Sequence, residues 1–431
     1  MAKFRLKKKA RVFIILCVLV FAITIALVSI FSDNSIKFDV KNKISGKAKN
    51  KEVWPKISKL SLVATGDALL HNSVYIDAYN RQTETFDFSK QIEFVKEAIK
   101  DYDIKYYNQE SVFGGKQPDI YPDDSALEIR GYHSFPFNSP SEFGDAMIDA
   151  GFNMVSLASN HSADCKTKAK ECILNSYDYW SKQEGVVFDG FNPDENHTNN
   201  YIIAEKNGIT YTMLNYTTDL NGWEGYVRGN EWLVDLYDEE KVKQDIEEVR
   251  DKVDVLIVAM HWHHLKNHTA SPEYSFTVTD VNKEIAQYLS SLGVDIILGT
   301  YSHCLQPFDI INEGKTVVFY SLGNFISNQG VLLNSIGYKG IMGVLASMDI
   351  TKTLYEDGTK EIKVDNLGAE LLYTYSSDKN FNTYYAKNHK VIPFSKMNET
   401  YDSKYVELYN DYSEVLTSLN KNITIKPLPA N

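Results

Sequence analysis

The sequence predicts an α/β domain, and three observations carry that prediction. Apolar runs of strand length recur at Leu60–Thr65, Asn153–Ala158, Val253–Met260, Val294–Leu298 and Val317–Tyr320. Amphipathic stretches of helical period, SKQIEFVKEAIKD, EKVKQDIEEVRDKV and DVNKEIAQYLSSL, alternate with them, a pattern that favours helices covering the faces of a sheet. Polar and ionisable residues then stand directly after the strand runs, where open α/β sheets place their ligands.

The N-terminus comes first in order. MAKFRLKKKAR carries six cations and no acid, and Val12 to Phe31 is an uncharged apolar run. About twenty residues at 1.5 Å each cross a bilayer's hydrocarbon core, and the basic flank stays cytoplasmic. No A-x-A cleavage site follows Phe31 and no small residues precede Cys17, which favours an uncleaved anchor over a signal peptide or a lipoprotein. The expected layout is a cytoplasmic segment 1–11, a transmembrane helix 12–31, a polar Lys/Asn-rich stalk 32–54, an extracellular domain 55–395, and a C-terminal helix and tail 396–431. The chain is thereby expected at the cell membrane, single-pass, with its C-terminal domain outside.

The net charge is −12, of which the first 31 residues contribute +6, leaving −18 on the exported part. Nucleic acid is excluded as a partner, because its binders present a basic face. Four cysteines in 431 residues are no disulfide scaffold. Cys165 and Cys172 could pair outside the cell or remain thiols on adjacent elements, and Cys304 reads as a small buried residue.

The strand ends deliver Asp67, then Asn108 and Glu110, then Asn160 and His161, then His261, His303 and Asn324. Singly, each is as readily a turn or a cap. Together, oxygen and imidazole donors suit Mn, Zn or Fe, and one or two such ions can activate water and clamp a phosphoryl centre. Four of the ten histidines crowd into VAMHWHHLKNH, Val258 to His268.

These motifs, ATGD, NQE, SLASNHSAD, MHWH, LGVDIILGTYSHCLQP and YSLGNFISNQ, stand in an order that resembles the CapA family of capsule or poly-γ-glutamate biosynthesis proteins over roughly residues 57–350. The resemblance implies a four-layer α/β/β/α sandwich of metallophosphatase type. It also implies roles: Asp67 and His303 on a first metal, Asn160 and His261 on a second, Glu110 bridging, and His161 handling protons. Ser321, Gly323, Asn324 and Tyr301 would line the pocket. Asp164 is placed to orient His161, as such histidines commonly require.

Two departures stand out. Where the family often has HWGxEY, this chain has HWHHLK, with Leu265 and Lys266 at the Glu-Tyr positions. Tyr301 replaces the first histidine of a common His-x-His, and a neutral phenol is a poor ligand for a divalent ion. Either His263, His264 or His268 supplies the missing nitrogen, or the site holds one metal or none; His71 is a further candidate ligand. Three functions are therefore expected to compete. The first is support of synthesis, export or attachment of an anionic capsule polymer such as poly-γ-glutamate, alongside membrane-bound synthase subunits and by metal-assisted hydrolysis or transfer. The others are a non-catalytic scaffold or polymer-binding component, and a general extracellular phosphoesterase.

Overall fold

The computed structural model describes residues 53–116, 133–134, 137–196, 201–262, 273–378 and 387–429. The expected anchor, nearly all of the stalk, and His263, His264 and His268 lie outside the described residues. Among the described residues no helix is long and apolar enough to cross a membrane. From Trp54 onward they belong to one compact unit.

Two sheets form its centre. The strands of the first are β1 (Lys56–Ala68), β2 (Ile104–Gln109), β3 (Met154–Ser156) and β4 (Val187–Asp189). Those of the second are β5 (Ala204–Lys206), β6 (Ile209–Thr217), β7 (Val255–His261), β8 (Ile296–Thr300), β9 (Phe308–Ile311) and β10 (Thr316–Phe319). The chain then returns to the first sheet with β11 (Asn324–Ile326), β12 (Met342–Leu354), β13 (Lys360–Tyr375), β14 (Lys390–Pro393) and β15 (Thr424–Ile425). The first sheet runs β14-β13-β12-β1-β2-β3-β4, with β11 also on β1 and β15 on β13; the second runs β9-β10-β8-β7-β6-β5. β1 through β4 are mutually parallel, as are β6, β7, β8 and β10.

Alternation along the strands decides the layers. Leu62 and Ala64 of β1 pack in one core with Ile257 and Ala259 of β7 and Leu298 of β8, so the two sheets meet face to face. Val63, the residue between, turns the other way, into a core shared with Ile92, Val95 and Ile99 of helix α1 (Ser89–Ile99), Phe143 and Met147 of α2 (Glu142–Asp149), and Ile173 and Trp180 of α3 (Ala169–Ser181). Leu256, Val258 and Met260 of β7 likewise face Val242 and Ile246 of α4 (Glu239–Val249) and Ile285 and Leu289 of α5 (Asp280–Ser291). The order is helix, sheet, sheet, helix. Strands buried on both faces read as continuous apolar runs, which is why β7 shows seven buried residues in a row.

The C-terminal segment set apart at 396–431 in the sequence packs into this same body. Leu408, Tyr412 and Leu416 of helix α6 (Tyr405–Leu416) join the core between the sheets, and β15 adds a strand to β13.

One close approach fixes the end of β1. A Cβ on Gly66 would lie 1.8 Å from the carbonyl oxygen of Gly323, far inside any tolerated contact. Asp67 N–H donates to that same oxygen at 2.9 Å. Gly66→Ala must therefore push β1 and the 323 turn apart. We expect a loss of several kcal/mol, in the overpacking range and above, read as a fall in urea midpoint, together with loss of metal affinity because Asp67 moves with the strand.

Candidate metal centre

The parallel strands bring their carboxyl ends to one side. Asp67 closes β1 opposite Asn108 of β2, and His261 closes β7 between Thr217 and Thr300. Glu110 follows β2, Asn160 and His161 follow β3, and His303 follows β8. All of these are buried.

Glu110 sits at the centre. It is 1% exposed, and neither carboxylate oxygen has a hydrogen-bond partner among the described residues. Yet Oε1 lies 3.6 Å from Nε2 of His261, 3.6 Å from Nε2 of His303 and 3.8 Å from Nε2 of His161. Those distances are too long for hydrogen bonds. They match the separation of two ligands on one ion, roughly 3.4 Å for tetrahedral bonds of ~2.1 Å. Asp67, Glu110 and His303 each offer an atom within 4.8 Å of the others, a group able to hold a metal ion. Asn160 Oδ1, 2.9 Å from His261 Nε2, begins a second group that shares Glu110.

The outer nitrogens of these imidazoles are tied back and the inner ones turn to the centre, as metal ligands require, with His261 Nε2 also meeting Asn160 Oδ1. Asn324 gives its amide to Gln329 and Gly340, so its Oδ1 accepts the His303 Nδ1–H at 3.1 Å. Thr300 Oγ1 reaches Met260 O and stands 2.9 Å from His261 Nδ1, which makes it an acceptor there. His161 Nδ1 donates to Asp164 Oδ2 at 2.8 Å, and that oxygen is steadied by the Phe137 N–H. Asn108 donates to Asp67 Oδ1 at 2.8 Å and accepts from Ser156.

The electrostatics belong to a cluster with too many donors for its protons. Burial drives Glu110 up to about 8, helped by the charge of Asp67 and opposed by His303. Burial alone would lower His303, but Glu110 and Asp67 hold it up at about 10. His261, dominated by burial, falls to about 3. Asp67 resists burial through His303, His261 and Asn108 and stays below the usual carboxylate range. Burial also works against His161, yet Asp164 keeps it above the ordinary imidazole value.

Of the expected pocket residues, Asn324 holds His303, and Gly323, at a φ of 67°, accepts the Asp67 N–H. Ser321 bonds to the Gly323 N–H and makes no direct bond to the ligand groups. Tyr301 is buried beside His261, ring edge to ring at 5.5 Å, but its hydroxyl turns to Glu273 at 3.4 Å. His71 joins neither ligand group: its Nδ1 is taken by backbone.

Glu273 and Tyr274 add to the sequence reading. A Glu-Tyr pair stands eight residues after Leu265 and Lys266, with Glu273 on Tyr301 and the Tyr274 ring 5.9 Å from that of His303. The dipeptide is visible in the sequence, but nothing local marks it as part of the site. Thr300 was missed, and Asn108, named in the sequence as a strand-end residue, was given no role there, because both act one layer behind the ligand candidates. Cys165 and Cys172, left open by the sequence, form a disulfide directly after Asp164, and Cys304 is free and buried.

A family model described as bacterial capsule synthesis protein PGA_cap matches residues 61–329. The chain belongs to that family. The PGA_cap match takes in every ligand candidate above, from Asp67 to His303. Among curated proteins, the capsule biosynthesis protein CapA of Bacillus anthracis is 22% identical over 276 residues, 63% of this chain and 61% of its own. The PGA biosynthesis protein CapA of Bacillus subtilis is 30% identical over 184 residues, 42% and 44%. The chain thus spans less than two thirds of either PGA_cap relative. Solved structures it is similar to include a calcineurin-like phosphoesterase, YfkN, from Bacillus subtilis, at 14% identity over 83% of this chain and 99% of that one, TM-score 0.38. A 5'-nucleotidase structure from Staphylococcus aureus gives 11%, 82%, 58% and 0.41.

Proposed function

We propose that this PGA_cap protein is a membrane-anchored, extracellular metal-dependent hydrolase or transferase that supports synthesis, export or attachment of an anionic capsule polymer of the poly-γ-glutamate kind. The observation that carries the catalytic part is Glu110, a buried carboxylate with no hydrogen bond and three imidazole nitrogens aimed at it. A bound divalent ion, Mn, Zn or Fe, would supply Lewis acidity and an activated water there. Asp67, Glu110 and His303 would hold one ion; Asn160, His261 and Glu110 would hold another. His161, whose protonated form Asp164 favours against burial, is placed to give a proton to a leaving group.

The location has its own support. Disulfides persist in oxidising compartments and are rare in the cytosol, so the Cys165–Cys172 bond fits a domain exposed outside the cell, as does the apolar run Val12–Phe31.

Metal analysis of the full-length protein, with Asp67→Ala and His161→Ala variants, tests this. We expect Asp67→Ala to lose metal and both to lose capsule; undiminished capsule in a strain carrying both changes would exclude catalysis as the role. Tyr301 favours a second reading, a scaffold with a depleted site. Tyr301→His should then raise metal content, and should leave it unchanged where the existing ligands already suffice. Turnover of simple phosphoesters in preference to γ-glutamyl peptides would instead favour a general phosphoesterase.

A further inference from the structure

The β1–α1 connection carries a polar group that the metal site does not use. His71 is partly exposed and lies at the end of a turn clamped by the strand that fixes Asp67: Asp67 pairs with Asn324, and Leu69 N–H donates to Ile326 O. Its backbone N–H already bonds to Leu69 O at 2.9 Å. The Asn328 N–H, two residues beyond β11, points at His71 Nδ1 at 3.1 Å and has no other acceptor among the described residues. Nδ1 also lies 3.0 Å from Leu69 O, but that oxygen already has a donor, whereas the Asn328 N–H can only donate and would otherwise meet a second proton; Nδ1 is therefore assigned as the acceptor, with the proton on Nε2. Among the described residues nothing takes that Nε2–H.

The ring is held in place beside the centre. Phe137 stands edge-on to His71 at 5.0 Å and edge-on to His161 at 4.4 Å, so the three rings form one wall. His71 also lies close enough to His303 and His161 to feel their charge; burial first, then those neighbours, push it down to about 3. The Leu69 carbonyl opposes this only in part, so well above about 3 the ring is neutral and presents an uncharged N–H.

We propose that His71 is a substrate-binding residue, its Nε2–H donating to an oxyanion of the substrate held at the metal centre. The proposal rests on the metal-dependent reading above. The oxyanion is a phosphoryl oxygen or a polymer carboxylate, and a neutral donor suits either without competing for the metal. His71→Ala removes the donor; His71→Gln keeps an amide N–H near the position of Nε2.

The test is calorimetric titration of the manganese-loaded full-length protein with inorganic phosphate and, separately, with a γ-linked glutamate oligomer. For the oxyanion that His71 serves, we expect His71→Ala to weaken binding about tenfold, the worth of one hydrogen bond to a charged group. His71→Gln should recover most of it, and manganese content should be the same in all three proteins. Loss with phosphate alone assigns the phosphoryl source; loss with the oligomer alone assigns the carboxylate. Equal affinities in His71→Ala and wild type for both ligands, no binding of either by wild type, or manganese lost with the histidine would each overturn the proposal. Should the wild type bind no manganese, the metal-dependent reading fails, and the same titrations on the metal-free protein still decide the role of His71.

Discussion

Glu110→Gln is expected to make the metal-free protein more stable while removing the stabilisation that metal confers. The wild-type carboxyl is buried, without a hydrogen bond, and pushed up to about 8. The sign follows from linkage. A carboxyl whose folded value lies above its unfolded value favours the fold fully below about 4.5, and that contribution is lost as pH rises through about 8. Each unit of displacement corresponds to about 1.4 kcal/mol. Glutamine never ionises, so the variant's advantage is absent at acid pH, grows from about 4.5 and levels off above about 8. Part of it is offset, because the His303 imidazolium loses one of its two carboxylate partners and keeps Asp67. A net gain on the order of 1–3 kcal/mol remains, within what replacing a buried charge can yield. With metal present the order reverses. An ion at a thousand times its Kd stabilises the wild type by about 4 kcal/mol, and the variant, lacking the shared ligand, should bind more than about a hundredfold more weakly, beyond what outer-layer changes alone cost. Urea titrations of both proteins at pH 5 and pH 8.5, with and without manganese, read all four stabilities. A variant less stable than wild type without metal at pH 8.5 would mean that Glu110 has a partner after all.

The parts of this molecule that could be read from sequence are those whose physics is local. β7 and β8 are buried on both faces, so their apolar runs announced them, and the strand ends followed. The long β12–β13 hairpin was not read, although Asp357-Gly358 marks its turn. Its outer part carries Thr, Lys, Glu and Asp and leaves the core, whereas Met342–Ala346 and Ala369–Thr374 are buried throughout and Met348 and Ile350 alternate with half-buried neighbours. The residues that cluster at the centre were legible because each ends a strand or follows one closely. What aims them was not: Thr300 was not singled out, and Asn108 and Asn324, though named, act through side-chain bonds between strands far apart in sequence. Glu273 needed the structure for a different reason, since no strand end announces it. Its contact with Tyr301 gives that phenol a carboxylate neighbour, which the sequence alone did not show.

The pH dependence of metal binding should separate the two ligand groups. At pH 7 the metal-free site holds a proton on Glu110, near 8 chiefly through burial, and another on His303, near 10 because Glu110 and Asp67 outweigh burial. Neither can ligate an ion while protonated, so loading must expel both. Apparent affinity therefore rises with pH, by up to about tenfold per unit for each proton released. The slope should approach two between pH 6 and 8, fall toward one above about 8 as Glu110 ionises unaided, and vanish above about 10. The Asn160–His261 group behaves differently: His261 lies near 3 and is already neutral, so an ion there expels only the Glu110 proton. Calorimetry at pH 7 in two buffers of different ionisation enthalpy counts the protons, and His303→Ala isolates the second group. We expect about two protons per first ion in wild type and one in the variant. A first ion that binds without releasing protons would mean that it enters through His261, and the roles of the two groups would have to be exchanged.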